Sequence, residues 1–362
     1  MERDTQITVL IVDDSLSMRN MLESYLIQDP SIKIIGKAAD PYEAVSILKN
    51  QVPNVITLDI EMPKMDGLTF LKKIMAQHPI PVVIISSLAK KGADETIKAL
   101  EYGAVDIILK PFVSEESKES DIQSLIEKVK AAGNAVVKSK SQKSLFVPPK
   151  YSADAVLAKK PMNFSSGSNQ KIIAIGASTG GTNAILSVLK DLSVYTPGIV
   201  IVQHMPVQFT KAFANRLNQL CNIYVKEAED GDVITPGLAL IARGDKHMLV
   251  KKQGAQYVVQ LLDGPMVNRH KPSVDVLFRS MANQVGSQAI GILLTGMGDD
   301  GARGLLEMKE TKAITIAQDE KSSVVYGMPR EAIRLEAQKF ILSLSEIGEY
   351  LIHLTQKSPE KK

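Results

Sequence analysis

A chain of 362 residues with 44% hydrophobic and 23% charged residues has the composition of a soluble globular protein and is long enough for two cores. The polar, acidic start MERDTQ and the lack of any apolar run near the roughly 20 residues a bilayer requires argue against a signal peptide and a membrane span. The expectation is therefore a cytoplasmic chain that is not membrane-inserted. The lone cysteine, Cys221, excludes an internal disulfide and a multi-cysteine metal site, and its place at the end of the apparent helix TKAFANRLNQLC suits a small buried hydrophobe better than a nucleophile.

In chain order, short apolar strands alternate with helical periods through TVLIV, SMRNMLESYL, IKIIGKA, PYEAVSILKN, NVITLD, LTFLKKIMAQ, PVVIIS, GADETIKALEYG, AVDIIL and SLIEKVKAA. This alternation predicts a parallel sheet with crossover helices. Periodicity then lapses from about residue 134 to 169, where VPP and SSGSNQ occur. The formal charge of +3 is unevenly spread around this stretch, with eight lysines facing one acid, Asp154, between Lys128 and Lys160. Interspersed Ser, Asn, Ala and Pro without aromatics fit a solvated tether rather than a nucleic-acid-binding surface. The alternation resumes with KIIAIGAS, TNAILSVLKDL, GIVIVQHM and FTKAFANRLNQL, passes through a β-rich stretch (VITPGLALIA, HMLVKK, QYVVQLLD), and closes with SVDVLFRSMANQ, AIGILLTG, ARGLLEMKE and AITIAQ. The second half therefore reads as a doubly wound α/β domain with an inserted hairpin region.

Chemistry gathers at the strand ends. Asp13 and Asp14 follow the first strand and Asp59 ends the third, so three carboxylates share the edge where parallel strands end. Such acids repel one another unless a hard divalent cation such as Mg²⁺ joins them. Ser86 and Lys110 follow the next two strands and bring a hydroxyl and an ammonium to the same edge. Together these groups suit phosphoryl transfer to Asp59, with Lys110 and the cation on the developing charge and Ser86 on a phosphoryl oxygen. The five residues and the segment DIEMPKMDG resemble the receiver domain of two-component response regulators. The resemblance implies a flavodoxin-like five-stranded fold and a histidine kinase as phosphodonor. It breaks at Ile107, where many receivers carry an aromatic switch residue.

In the second half, IAIGASTGGTNAIL runs from a strand into a helix with Ser178 at the turn. Gly176, Gly180 and Gly181 relieve crowding there, and the helix start aims N–H groups at negative charge. Ser178 is either a nucleophile beside an oxyanion hole or a polar residue of a phosphate-binding loop. A nucleophile needs a base, and His204, which follows GIVIVQ at the same sheet edge, is better placed than His78 or His353. His247 and His270 remain substrate or supporting groups. Asp299 and Asp300, after AIGILL, supply the acid that would fix the base's tautomer. The order Ser, His, Asp differs from that of α/β-hydrolases and implies a convergent triad.

Across essentially the whole chain, GASTGG, QHMP, EAEDGD, GDKHM, DGPMVNRHKPSVDVLF, TGMGDDGARG and VYGMPREAI resemble the chemotaxis protein-glutamate methylesterase (CheB) family. The resemblance implies Ser178 as nucleophile, His204 as base, Asp300 rather than Asp299 as the orienting acid, Met297 as a backbone contributor to the oxyanion hole and Thr179 as a neighbour. It further implies hydrolysis of γ-glutamyl methyl esters and deamidation of glutamines on methyl-accepting chemotaxis receptors, with Mg²⁺ for phosphorylation and no cofactor for ester hydrolysis. Arg243 departs from the proline common before GDKHM. The expected organisation is a receiver over residues 1–127, a flexible basic linker over 128–168 and a catalytic domain over 169–356. Two rival readings are weaker. A DNA-binding output domain would place its basic residues on a recognition helix, and a dinucleotide fold would need an acid further on than Asp191.

Overall fold

A computed structural model describes residues 6–62, 65–87, 92–110, 118–135, 151–159 and 170–356. The chain divides into two compact units, residues 1–143 and 144–362. The first runs β1 (Ile7–Val12), α1 (Leu16–Leu26), β2 (Ile32–Ala38), α2 (Pro41–Leu48), β3 (Val55–Asp59), α3 (Gly67–Gln77), β4 (Val82–Ser86), α4 (Gly92–Glu101), β5 (Asp106–Leu109) and α5 (Lys118–Asn134). The five strands form one parallel sheet in the order β2-β1-β3-β4-β5. Strand residues such as Val9, Ile11, Val55 and Val83 are buried, as expected of strands covered on both faces. Helix starts follow local capping chemistry: the side chains of Ser15, Asp40 and Asp66 accept backbone N–H bonds from the first turns of α1, α2 and α3.

The second unit contains β6 (Ile172–Ala177), α6 (Gly181–Leu189), β7 (Gly198–Gln203), α7 (Val207–Leu220), β8 (Tyr224–Glu227), β9 (Leu238–Ile241), β10 (His247–Gln253), β11 (Gln256–Leu262), α8 (Val274–Gln284), β12 (Ala289–Leu293), α9 (Ala302–Glu310), β13 (Ile314–Gln318), α10 (Met328–Arg334), β14 (Phe340–Leu342) and α11 (Leu344–Gln356). Seven strands form a parallel sheet ordered β14-β13-β12-β6-β7-β9-β8, and β10 and β11 form a separate antiparallel hairpin. The β-rich stretch is thus the expected inserted hairpin. Strand β6 lies centrally, in register with β7 on one side and β12 on the other. No described helix is long and apolar enough to cross a membrane.

The stretch expected to be a tether is partly built into the two units. Helix α5 continues to Asn134, and its Lys128 and Lys130 donate to Asp106 and Asp29 of the first unit at 2.8 and 2.7 Å. Residues 151–159 pack on the second unit, with Ala153 buried beside Leu249, Val267 and Val276. The buried Arg279 holds them. It grips Glu307 through two bonds of 2.9 and 2.6 Å and reaches Asp154 and the Leu157 carbonyl at 2.7 and 3.0 Å. Segments 136–150 and 160–169 of the expected linker lie outside the described residues.

Because Arg279 and Glu307 are 7% and 9% exposed, removing one leaves the other's charge without its partner in the interior. Arg279→Ala is expected to cost the second unit about 3 to 5 kcal/mol, whereas Asp154→Asn, at a solvated end of the network, costs less than about 1 kcal/mol. Urea unfolding of the full chain, followed through the second unit's transition, checks the ordering.

Candidate active site and phosphoacceptor site

In the first unit, Asp13 and Asp59 are each 1% exposed, while Asp14 is exposed. The three carboxylates present oxygens within 4.8 Å of one another. Lys110 Nζ lies 3.0 Å from Asp13 Oδ2 and 2.5 Å from Asp59 Oδ2. Burial pushes the Asp59 carboxyl up, and the Lys110 bond offsets this only in part. Burial opposes the Lys110 ammonium, yet its bonds to Asp59 and Asp13 prevail and hold it above the ordinary lysine range. Asp13 Oδ2 is buried without an aligned hydrogen bond, so an oxygen in the cluster is available to a hard cation. Ser86 reaches the same edge, but its hydroxyl is engaged with Thr96 of α4 at 2.9 Å. Ile107 is 2% exposed and fully part of the core.

In the second unit, the sequence IIAIGAS carries the chain up the central strand to Ser178, which is 8% exposed. The turn is tight: Gly181 N–H donates to the Ser178 carbonyl at 2.7 Å, and Gly180 has φ +76°. A Cβ on Gly176 would sit 2.2 Å from Val274, so only glycine lets α8 approach this strand. The Ser178 hydroxyl makes no hydrogen bond among the described residues. His204 sits beside it because β7 pairs with β6 in register. Its N–H donates to the Ala177 carbonyl at 3.0 Å, and Gln203 Nε2 bridges the carbonyls of Ser178 and His204 at 2.9 and 3.2 Å.

Asp300 arrives from the loop after β12. Its Oδ2 lies 2.8 Å from His204 Nε2 and accepts the Val274 N–H at 2.7 Å. Its Oδ1 accepts from Ser273 Oγ at 2.7 Å, Asn268 Nδ2 at 2.8 Å and Asp275 N–H at 3.2 Å. The carboxylate is therefore seated at the N-terminus of α8, whose N-cap is Ser273. Burial alone would raise this carboxyl, but His204, the nearby His270 and the Asn268 bond outweigh it and hold Asp300 well below the usual carboxylate range. An ionised carboxylate only accepts, so the hydrogen of the His204–Asp300 bond sits on Nε2. The His204 Nδ1 is buried and has no hydrogen-bond partner. The His270 ring stacks on the His204 ring with centroids 3.7 Å apart.

Asp299 is half-buried, one residue from the carboxylate that meets the histidine. Met297 sits in the segment against the serine turn: a Cβ on Gly296 would lie 2.7 Å from Ser178 Cβ. The Thr295 hydroxyl pins this segment to the Thr179 and Val325 carbonyls at 3.0 and 3.1 Å. The Met297 N–H meets no acceptor among the described residues. His247 is fully buried; its Nε2 donates to the Pro265 carbonyl at 2.9 Å and its Nδ1 accepts the Ser273 N–H at 3.2 Å. Burial lowers its pKa, and it acts as a neutral strut under the α8 cap. His78 and His353 belong to α3's C-terminal cap and to α11, elements that contribute nothing to this cluster. Three residues around the acid carried no sequence-level role. The Ser273 cap was foreshadowed by a serine just before VDVLF, whereas Asn268 and Gln203 carried no local signal.

Residues 173–351 match the family model of the CheB methylesterase, and residues 9–120 match that of the response regulator receiver domain. The chain is 53% identical over 350 residues to protein-glutamate methylesterase/protein-glutamine glutaminase 5 of Anaeromyxobacter dehalogenans, covering 96% of each chain. It is 52% identical over 345 residues to the corresponding protein of the group 3 operon of Rhodopseudomonas palustris, covering 94% of each. The crystal structure of the Thermotoga maritima CheB methylesterase catalytic domain superposes with a TM-score of 0.50 at 38% identity, covering 51% of this chain and 98% of that one. With a receiver unit followed by a methylesterase unit and such identity over nearly its full length, the chain belongs to the CheB protein-glutamate methylesterase family.

Proposed function

We propose that this chain is a phosphorylation-activated serine hydrolase that demethylates γ-glutamyl methyl esters and deamidates glutamines on methyl-accepting chemotaxis receptors. The observation that carries the catalytic half is the 2.8 Å His204–Asp300 contact through Nε2, which leaves Nδ1 buried without a hydrogen-bond partner on the residue that follows β7, the strand paired with the one leading to Ser178. His204 Nδ1 takes the Ser178 proton as Oγ bonds to the side-chain carbonyl carbon. The resulting oxyanion is met by backbone N–H groups, for which the Met297 N–H is free and Thr179, following the nucleophile, is adjacent. Collapse breaks the bond to methoxide or amide, which takes the proton from His204 and leaves as methanol or ammonia. Water gives a proton to His204 as its oxygen bonds to the acyl carbon; the bond from that carbon to Ser178 Oγ then breaks, and Oγ takes the proton back from His204. One site serves both reactions because only the leaving group differs.

The receiver half has Asp59 as phosphoacceptor, with a histidine kinase of the chemotaxis pathway as donor. Asp13, Asp14 and Asp59 would hold a divalent cation, Mg²⁺ by the hardness of its all-oxygen donors, and that cation supplies positive charge opposite the phosphoryl oxygens. Lys110 already spans Asp13 and Asp59 and is placed to meet a phosphoryl group. Ser86 would exchange its 2.9 Å bond to Thr96 of α4 for one to a phosphoryl oxygen. Ile107 is aliphatic and buried, so no aromatic swing is available at that position.

Methanol release from methyl-labelled receptor membranes tests the catalytic reading. Ser178→Ala should fall by about 10³-fold or more with phosphorylation intact, and Asp300→Asn should fall far further than Asp299→Asn. Wild-type turnover in Ser178→Ala, or a larger loss at Asp299, would refute these assignments.

Phosphorylation of Asp59 by a small phosphodonor should require Mg²⁺, be lost on chelation, and drop sharply in Asp14→Ala. Asp59→Asn should stay at its basal esterase rate when phosphodonor is added. Intact-mass measurement of the phosphorylated chain, paired with methanol release, reads both.

A further inference from the structure

Asp300 has a second buried carboxylate for a neighbour. Asp275, in the first turn of α8, is 3% exposed, and its Oδ1 accepts the Gly304 N–H at 2.7 Å. Between the two acids stands the Asn268 amide, whose single nitrogen donates to Asp275 Oδ2 at 2.7 Å and to Asp300 Oδ1 at 2.8 Å. Both amide protons are spent on carboxylates. The reverse orientation would aim the amide oxygen at two acids and is excluded.

We infer that Asn268 is a positioning residue for the triad acid, dividing its two amide protons between Asp300 and Asp275 so that both carboxylates stay buried side by side while Asp300 faces His204. The inference rests on the triad reading above. Donor numbers decide which acid keeps the charge. Asp300 accepts from His204, Ser273, Val274, Asp275 and Asn268, whereas Asp275 accepts from Gly304 and Asn268. In agreement, Asp275 is pushed up to about 7, by burial first and by the Asp300 charge next, while Asp300 is held low. The backbone is shaped for the task. Asn268 and the next residue, Arg269, have φ +50° and +68°, a left-handed pair that turns the chain so that His270, two residues on, lies over the His204 ring. Asparagine tolerates that conformation and supplies the amide.

The left-handed backbone also provides the test, because glycine keeps the loop and removes only the amide. In the full chain, Asn268→Gly should lower kcat about 10-fold with KM within about 2-fold, as loss of a ligand-orienting partner does. Asn268→Asp keeps the shape but replaces both donors by a third carboxylate, so it should be worse than Asn268→Gly. A residue needed only to fill space would rank the two the other way. Wild-type kcat in Asn268→Gly, or a better rate in Asn268→Asp than in Asn268→Gly, overturns the inference; if Asn268→Asp does not fold, Asn268→Gly alone decides. Asp300→Asn is measured alongside. Should it keep full activity, the triad reading fails; should it lose activity while Asn268→Gly does not, only the role of Asn268 fails.

Discussion

A buried charge must be met by protein donors, and the Asp300 carboxylate, 1% exposed, is the point at which the catalytic unit meets that demand. Its partners come from one continuous stretch, Asn268 and the α8 cap, and from the strand-end histidine 96 positions away. Seating the acid at a helix N-terminus fixes where α8 starts, and Gly176 lets α8 come close enough to β6 for the seat to lie beside Ser178. In the proposed triad the acid holds Nε2 and Nδ1 is the base, the ring nitrogen opposite to the one used in chymotrypsin-like enzymes.

The two units place different electrostatics on the same kind of sheet edge. In the receiver, the acids are under-compensated: Lys110 joins Asp13 to Asp59, one buried oxygen lacks an aligned bond among the described residues, and Asp59 is pushed up by burial. Such a site suits added positive charge and, in the proposed reading, then a phosphoryl group. In the catalytic unit Asp300 accepts five hydrogen bonds. In the proposed triad it orients His204, and titration within the working range would be a fault.

What was legible in the sequence was whatever periodicity and strand ends encode. Asp13, Asp59, Ser86, Lys110, Ser178, His204 and Asp300 all stand after or at the end of apolar runs, and the parallel sheets carry them to common edges. Local spacing left Asp299 and Asp300 equivalent and the family resemblance favoured Asp300; the structure buries Asp300 against His204 and leaves Asp299 half-buried. Asn268 was illegible because its role is a pair of bonds to residues 7 and 32 positions away. The two ends of the basic stretch were illegible for the same reason. Composition describes a tether, yet Lys128 and Lys130 are neutralised by Asp106 and Asp29, and Asp154 is held by an arginine 125 residues on. Cys221 conforms to the quiet reading, its thiol pushed up to about 11 by burial and then by Asp191, far from thiolate character at neutral pH.

The central claim is that Asp300 fixes the His204 proton on Nε2 and so makes Nδ1 the base. Nitrogen-15 NMR of histidine-labelled protein, with His204→Gln to assign its signals, reads this directly. The expected pattern is a hydrogen on Nε2 rather than Nδ1 in the neutral ring, lost in Asp300→Asn. A proton residing on Nδ1 in the wild-type protein would contradict it.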